Sequence, residues 1–185
     1  MSRKYEVNKY KIINDFAIIY LDKKDGTSME CKIDLEDLDK VLNFSNKWYS
    51  SYRKKIDGYY ACANYYVEDK NNNLKHKTMY LHRMILNISD RNIRIDHIDY
   101  NTLNNTKSNL RVSNAETNST NRSRINKNNK LGYRNICEVG GKLIIQLQVD
   151  GKNKVLGKFE FEELDMAVSF AEEMRSKYYG EFAGK

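Results

Sequence analysis

The spacing of apolar residues along the chain alternates between strand-like and helix-like periods, and each change marks an element. Residues 9–33 carry β patterning: 10–13 lead into a turn at Asn14-Asp15, and Phe16-Ala17-Ile18-Ile19-Tyr20-Leu21 is a buried-strand run. Lys24-Asp25-Gly26 holds an Asp-Gly hairpin signal, from which Met29-Glu30-Cys31-Lys32-Ile33 returns. Asp34 then caps a short helix in which Leu35, Leu38, Val41 and Leu42 recur at helical spacing. Trp48, Tyr49, Tyr52, Tyr59 and Tyr60 predict a second small sheet turning at Asp57-Gly58, with the aromatics mainly as core. Residues 71–77 are polar and basic and read as a loop exposing His76, and His82-Arg83 opens a short apolar helix over 84–86.

The centre of the chain combines pattern with chemistry. Asn92-Ile93-Arg94-Ile95 is a short β-branched run ending in Asp96-His97. Inside a strand, consecutive side chains point to opposite faces. At a strand end entering a loop that alternation relaxes, so an acid and a histidine can converge on a metal and a water. The Asn-rich stretch 99–109 reads as the loop. Leu110-Arg111-Val112 gives a second strand, and Ser113 with Glu116 three residues on is a capping-box start for a helix. The unit is strand, loop, strand, helix.

The last fifty residues are patterned more regularly. Gly132-Tyr133-Arg134-Asn135-Ile136 opens a strand. In the next, Leu143, Ile145, Leu147 and Val149 face one way while Ile144, Gln146 and Gln148 face the other. Asp150-Gly151 makes a tight turn into a third strand over 154–159. A helix follows, with Ala167, Phe170, Ala171, Met174 and Tyr178 on one face and Gly180 as its stop.

Composition narrows the function classes. Of 185 residues, 32 are Lys or Arg and 25 Asp or Glu, and the net charge of +7 suits a polyanionic partner. No run of about 18 apolar residues occurs, so no transmembrane span is expected. Residues 1–5 carry no apolar segment of a secretory signal. Cys31, Cys62 and Cys137 are scattered and odd in number, which builds neither a disulfide framework nor a zinc pair. Three reduced thiols in a cytoplasmic protein are expected. Proline is absent, so no proline-rich linker divides the chain.

Leu81-His82-Arg83-Met84-Ile85, Ile95-Asp96-His97-Ile98-Asp99, Asn109-Leu110-Arg111 and Asn118 together resemble the HNH endonucleases. The likeness is to the phage and intron-encoded kind, whose third signature residue is Asn. The resemblance implies a ββα-metal fold with His97 as general base and Asp96 and Asn118 as ligands of one Mg²⁺ (or Mn²⁺). Asn109 would brace the loop that presents the histidine. Asn is about a third of residues 101–129, and Asn114, Asn118 and Asn121 share one helical face, so a ligand one turn away fits the spacing equally. Tyr100 departs from the pattern, since relatives usually carry Gly or another small residue there. Arg83 suits a phosphate contact or a hydrogen bond to the site, and His82 either that support or core packing.

Gly157-Lys158-Phe159 and Lys177-Tyr178-Tyr179-Gly180-Glu181-Phe182-Ala183 resemble the AP2 DNA-binding domain over about 132–183. In that family the three-stranded sheet enters the major groove and the helix packs behind it. The resemblance and the strand alternation put Arg134, Gln146 and Gln148 at bases or phosphates and Lys142 and Lys154 near the backbone. Ile144, Gln146 and Gln148 stand where plant members carry arginines, which implies a more A·T-tolerant target, since Gln pairs with adenine and Ile touches a thymine methyl. Between the two resemblances, Arg122 to Lys130 holds four cations and no acid, a linker suited to lie along phosphates through Arg122 and Arg124.

The expected fold is α+β. A β-rich accessory region spans 1–78, the ββα-metal unit 79–122, the basic linker 123–131, and a three-stranded antiparallel sheet packed on one helix 132–185. The expected function is a site-specific DNA endonuclease that nicks double-stranded DNA by metal-dependent hydrolysis. Its setting is the cytoplasm of a bacterial host, with a monomer favoured over a dimer and no membrane or small-molecule cofactor. The alternative is a catalytically inactive, sequence-specific DNA-binding regulator. A non-specific nuclease or toxin is a third possibility, against which the recognition module argues.

Overall fold

The structure, a computed structural model, describes residues 6–23, 25–44, 46–114, 125 and 128–184. Among these the chain is mixed α+β, with eleven strands in four small sheets and three α-helices. It divides into two compact units, 1–112 and 113–185.

The first unit opens with a meander of β1 (Tyr10–Ile13), β2 (Phe16–Asp22) and β3 (Ser28–Asp34). In β2, Ala17, Ile19 and Leu21 are fully buried, and Cys31 and Ile33 of β3 lie opposite Ile19 and Ala17 on the same inner face. A short 3-10 turn (Leu35–Asp37) leads into α1 (Leu38–Leu42). Asp34 does not cap this helix with its side chain. Its carboxylate instead accepts the backbone N–H of Lys107 at 2.7 Å, because the loop around Lys107 crosses the helix start.

The second sheet is β4 (Tyr49–Arg53), β5 (Gly58–Glu68) and β6 (Leu74–Tyr80). The loop expected over 71–77 is only a turn at 69–73. Asp69 accepts the backbone N–H groups of Asn71 and Asn73, which closes the hairpin, and Leu74 onward pairs with β5. Residues 74–78 escape a hydrophobicity pattern because this end of the strand is exposed along its whole length. His76 lies within the strand, its ring against Tyr66 at 5.5 Å.

Helix α2 (Leu81–Ile85) follows directly, burying Leu81, His82 and Ile85. The two-stranded sheet of β7 (Arg94–His97) and β8 (Leu110–Ser113) completes the unit. One core runs from Ala17 through Trp48, Ala61 and Leu81 to Leu110. The expected boundary at 78/79 therefore does not exist, since β6 runs across it and both sides share that core. Trp48 sits at its centre, donating from Nε1 to the Val41 carbonyl at 3.0 Å, with buried Asn8 joining it to β2. The helix expected after Ser113 lies outside the described residues.

The second unit is an antiparallel sheet in the order β11-β10-β9, from β9 (Ile136–Val139), β10 (Lys142–Val149) and β11 (Lys152–Glu160), with α3 (Leu164–Tyr179) packed on it. Leu143, Ile145 and Leu147 are fully buried against Ala167 and Ala171. Glu160 and Glu163 form a capping box before α3, and Gly180, at φ 54°, ends it. The Tyr179 hydroxyl accepts from the Gln148 backbone N–H at 3.1 Å and donates to its carbonyl at 3.0 Å, pinning the helix end to β10.

Gly157 is the closest approach of sheet and helix. A methyl group there would lie 2.7 Å from a Phe170 ring carbon and 3.0 Å from Phe159. Gly157→Ala is therefore expected to cost about 1–3 kcal/mol by overpacking. Far-UV circular dichroism, to which α3 contributes the longest described helix, should show a urea transition moving down, while fluorescence of Trp48 in the other unit stays put.

Candidate active site

Strands β7 and β8 are joined by residues 98–109, and the asparagines of this loop hydrogen-bond extensively within it. Asn109, 7% exposed, is the hub. Its Nδ2 donates to Asp99 Oδ1 and to the Asn104 carbonyl, both at 2.8 Å, and its Oδ1 accepts the Asp99 N–H at 3.0 Å. Asp99 also accepts from Asn101 and Asn104. These contacts hold the Asp99 carboxyl below the usual range against the opposing effect of burial. Tyr100 takes φ 65° at the turn, a conformation that costs Gly least.

The loop is also fastened to the amino-terminal meander. Lys32 of β3 donates its N–H to Leu103 at 2.8 Å and accepts from the Asn105 N–H at 2.7 Å. Lys107 Nζ reaches Glu36 at 2.5 Å and Asp37 at 3.1 Å. Among the described residues, Asp34, Glu36 and Asp37 are the one acidic cluster close enough to hold a metal ion, and Lys107 already supplies its positive charge. Residues of the amino-terminal meander and the turn after it thus brace the loop that follows His97.

His97 is 4% exposed and Asp96 8%. Both belong to β7, whose alternation sends consecutive side chains apart, so the expected convergence is relaxed only beyond the strand. Asp96 Oδ2 receives two N–H groups of Arg111 on β8, Nε at 2.9 Å and Nη2 at 2.7 Å. Arg111 was visible in the motif as sequence but carried no assigned role. A cross-strand acid–base pair is the signal that identifies it.

His97 packs in a cluster of rings: His82 edge-on at 5.4 Å and Tyr60 at 6.1 Å, with Tyr80 against His82 at 5.6 Å. Its Nε2 lies 3.4 Å from Asn105 Oδ1. Burial pushes the His97 pKa down, opposed by the Asn105 hydrogen bond and the carboxylates of Asp99 and Asp96. The ring is therefore neutral at pH 7, the state a general base requires.

His82 is shifted further, to about 3, first by burial and then by the positive charges that His97 and Arg83 can carry. The unfolded chain protonates this ring near the ordinary 6.5 and the folded chain only near 3. Stability is therefore full above the higher value and is lost as pH falls towards the lower one. By pH 4 the loss attributable to His82 is on the order of 3 kcal/mol. His82→Gln should flatten the dependence of urea midpoint on pH between 7 and 4.

The other expected contact residues divide by place. Arg83 donates from Nη1 to the Ile93 carbonyl at 3.0 Å and from Nη2 to the Asp90 carbonyl, bracing the turn before β7. Gln146 and Gln148 lie with Ile144 on the outer face of the second unit's sheet, opposite the buried Leu143, Ile145 and Leu147. Lys142 is on that face but pairs with Glu160. Lys154 is opposite Leu147 in register, which places it on the helix side, where it pairs with Asp150 at 3.5 Å. Lys158, opposite Ile144, is the outward cation that the alternation of β10 alone does not reveal. A register shift between Ile145 and Gln146 decides which residues of β11 face outward. Arg134 precedes β9, and its Nη1 donates to the Ala183 carbonyl at 3.4 Å. Asn118, Arg122 and Arg124 lie outside the described residues.

The donor chemistry at Asp96 suits a hard divalent cation, because a carboxylate oxygen is what Mg²⁺ or Mn²⁺ prefers. Arg111 competes for the same oxygen. Among the described residues no helix is long and apolar enough to cross a membrane. No family model, curated protein or solved structure matches the chain.

Proposed function

We propose that this chain is a site-specific DNA endonuclease of the HNH type, with the carboxy-terminal sheet as an AP2-like recognition module. The observation that carries the reading is His97: buried, neutral at pH 7, next after Asp96 in β7, and at the mouth of a loop braced by Asn109. In the reaction, the lone pair of His97 takes a proton from water as the water oxygen bonds to the scissile phosphorus. The bond from phosphorus to the 3′ oxygen breaks, and that oxygen takes a proton from solvent. Asp96 and Asn118 are the residues that would hold a divalent cation, which stabilises charge on the phosphate and leaving oxygen. One such site cuts one strand, so a nick is the expected product.

Target recognition is assigned to the outer sheet face, where Ile144, Gln146, Gln148 and Lys158 align. Net charge of +7 supports a DNA partner, and binding should weaken as salt rises. Selection of bound sites that returned a G·C-rich box would remove the A·T-tolerant assignment.

One observation favours the alternative, a regulator that binds DNA without cutting. Arg111 places two hydrogen bonds on the Asp96 oxygen that a cation would use. Cleavage of supercoiled host DNA with Mg²⁺ or EDTA separates the two. Discrete nicked product dependent on Mg²⁺ supports the nuclease. A salt-sensitive gel shift with no cleavage supports the regulator, and digestion to small fragments the non-specific enzyme.

A further inference from the structure

Asn105 is 1% exposed, and its side chain is bonded on three sides. Its Nδ2 lies 3.2 Å from Cys31 Sγ and 3.5 Å from the Thr102 carbonyl, and its Oδ1 lies 3.4 Å from His97 Nε2. Its backbone N–H is held by Lys32 at 2.7 Å. A carbonyl oxygen can only accept, so the Thr102 contact requires the nitrogen of the amide on that side. Reversing the amide would set two acceptors against each other in a buried place, where an unmade hydrogen bond is costly. Oδ1 must then face His97, and an amide oxygen has no proton to give. The proton of the bond belongs to His97.

We propose that Asn105 is a positioning residue that holds His97 as the Nε2–H tautomer, leaving the lone pair on Nδ1 as the atom that receives the proton of water. The catalytic part of this inference rests on the nuclease reading above; the tautomer does not. In the proposed step, a proton passes from water to Nδ1, the water oxygen bonds to phosphorus and the 3′ oxygen leaves. The resulting imidazolium keeps Nε2–H on Asn105 Oδ1. A hydrogen bond of 3.4 Å is long for a neutral pair, and a charged donor shortens and strengthens it. Asn105 therefore helps more after proton transfer than before it, the kind of difference that lowers a barrier.

The arrangement also gives β3 a part in the chemistry. Cys31 and Lys32 hold Asn105 from a strand 74 residues away in sequence. Burial raises the Cys31 thiol to about 12, so it stays protonated, and its sulfur serves as an acceptor.

The test is long-range ¹H–¹⁵N correlation on the full-length chain with labelled histidine, the His97 signals being those lost in His97→Gln. The expected result is a single neutral tautomer with the proton on Nε2, and a ring N–H proton protected from solvent exchange. Asn105→Leu should abolish that protection, and Asn105→Asp, which retains an acceptor oxygen, should restore it. On DNA, Asn105→Leu should lower kcat about tenfold or more with KM within about twofold, the usual scale for loss of an orienting partner. A wild-type His97 protonated at Nδ1, or a mixture, overturns the proposal even if no variant folds. So does an Asn105→Leu protein that keeps the same protected Nε2 proton. If the tautomer follows Asn105 but wild type cuts no DNA, the positioning stands and the nuclease reading falls. If wild type cuts DNA with Nδ1 protonated, the reverse holds.

Discussion

Replacing His97 by alanine is expected to lower the rate of DNA cleavage by about 10²–10⁴-fold, the range that a positioned general base contributes. No other described residue shares its position at the end of β7: among its ring neighbours, Tyr60 has its pKa raised by burial, and His82 lies on α2. The measurement is conversion of supercoiled DNA to nicked circles with Mg²⁺, under single-turnover conditions. DNA affinity, read by gel shift at fixed salt, should change little, because the proposed recognition face is in the other unit. Cleavage by His97→Ala at the wild-type rate would sink the assignment of the base. Loss of both cleavage and affinity would point to a structural histidine, and the ring cluster with Tyr60 and His82 is where that damage would start.

Asp96 is expected to behave differently, because it has a partner. Both side chains of the Asp96–Arg111 pair are only 10% exposed, and the bond is two-pronged. Asp96→Ala strands a buried guanidinium, so the expected cost is about 3–5 kcal/mol of stability in addition to lost cleavage. A null result from that variant alone would confuse unfolding with chemistry. Asp96→Ala combined with Arg111→Met removes both charges, and replacing a buried pair by apolar groups is often neutral or stabilising. The double variant should therefore recover much of the lost urea midpoint and recover no cleavage. Recovery of cleavage along with stability would make Asp96 a structural residue and remove the metal from its carboxylate. Wild-type cleavage that persists in EDTA would do the same from the other side.

Much of the architecture was legible in local pattern. The alternation of Leu143, Ile145 and Leu147 gave the buried face of β10, since strand side chains must alternate. The Asp150-Gly151 turn and the apolar face of Ala167, Ala171 and Met174 were equally readable, because hairpin geometry and helical period are local. The Asp96-His97 pair stood out for the same reason. Strand β6 was not legible: Lys75, His76 and Lys77 carry no apolar period, and only backbone pairing with Val67, Tyr66 and Tyr65 makes them a strand. The capping role given to Asp34 failed because a loop residue 73 positions away claimed its carboxylate.

The sequence by itself determined most of the elements and one candidate pair: where strands turn, which face of β10 and α3 is apolar, and that an acid precedes a histidine at a strand end. These follow from steric and hydrophobic rules acting over a few residues. Tertiary structure alone decided which partners those groups meet. Asn105 is one Asn among many until β3 brings Cys31 and Lys32 to it, Asp96 is a bare carboxylate until Arg111 crosses from β8, and the outward place of Lys158 depends on one register shift in β11. Each of these is a contact between segments whose separation along the chain carries no periodic signal, so only the folded packing specifies it.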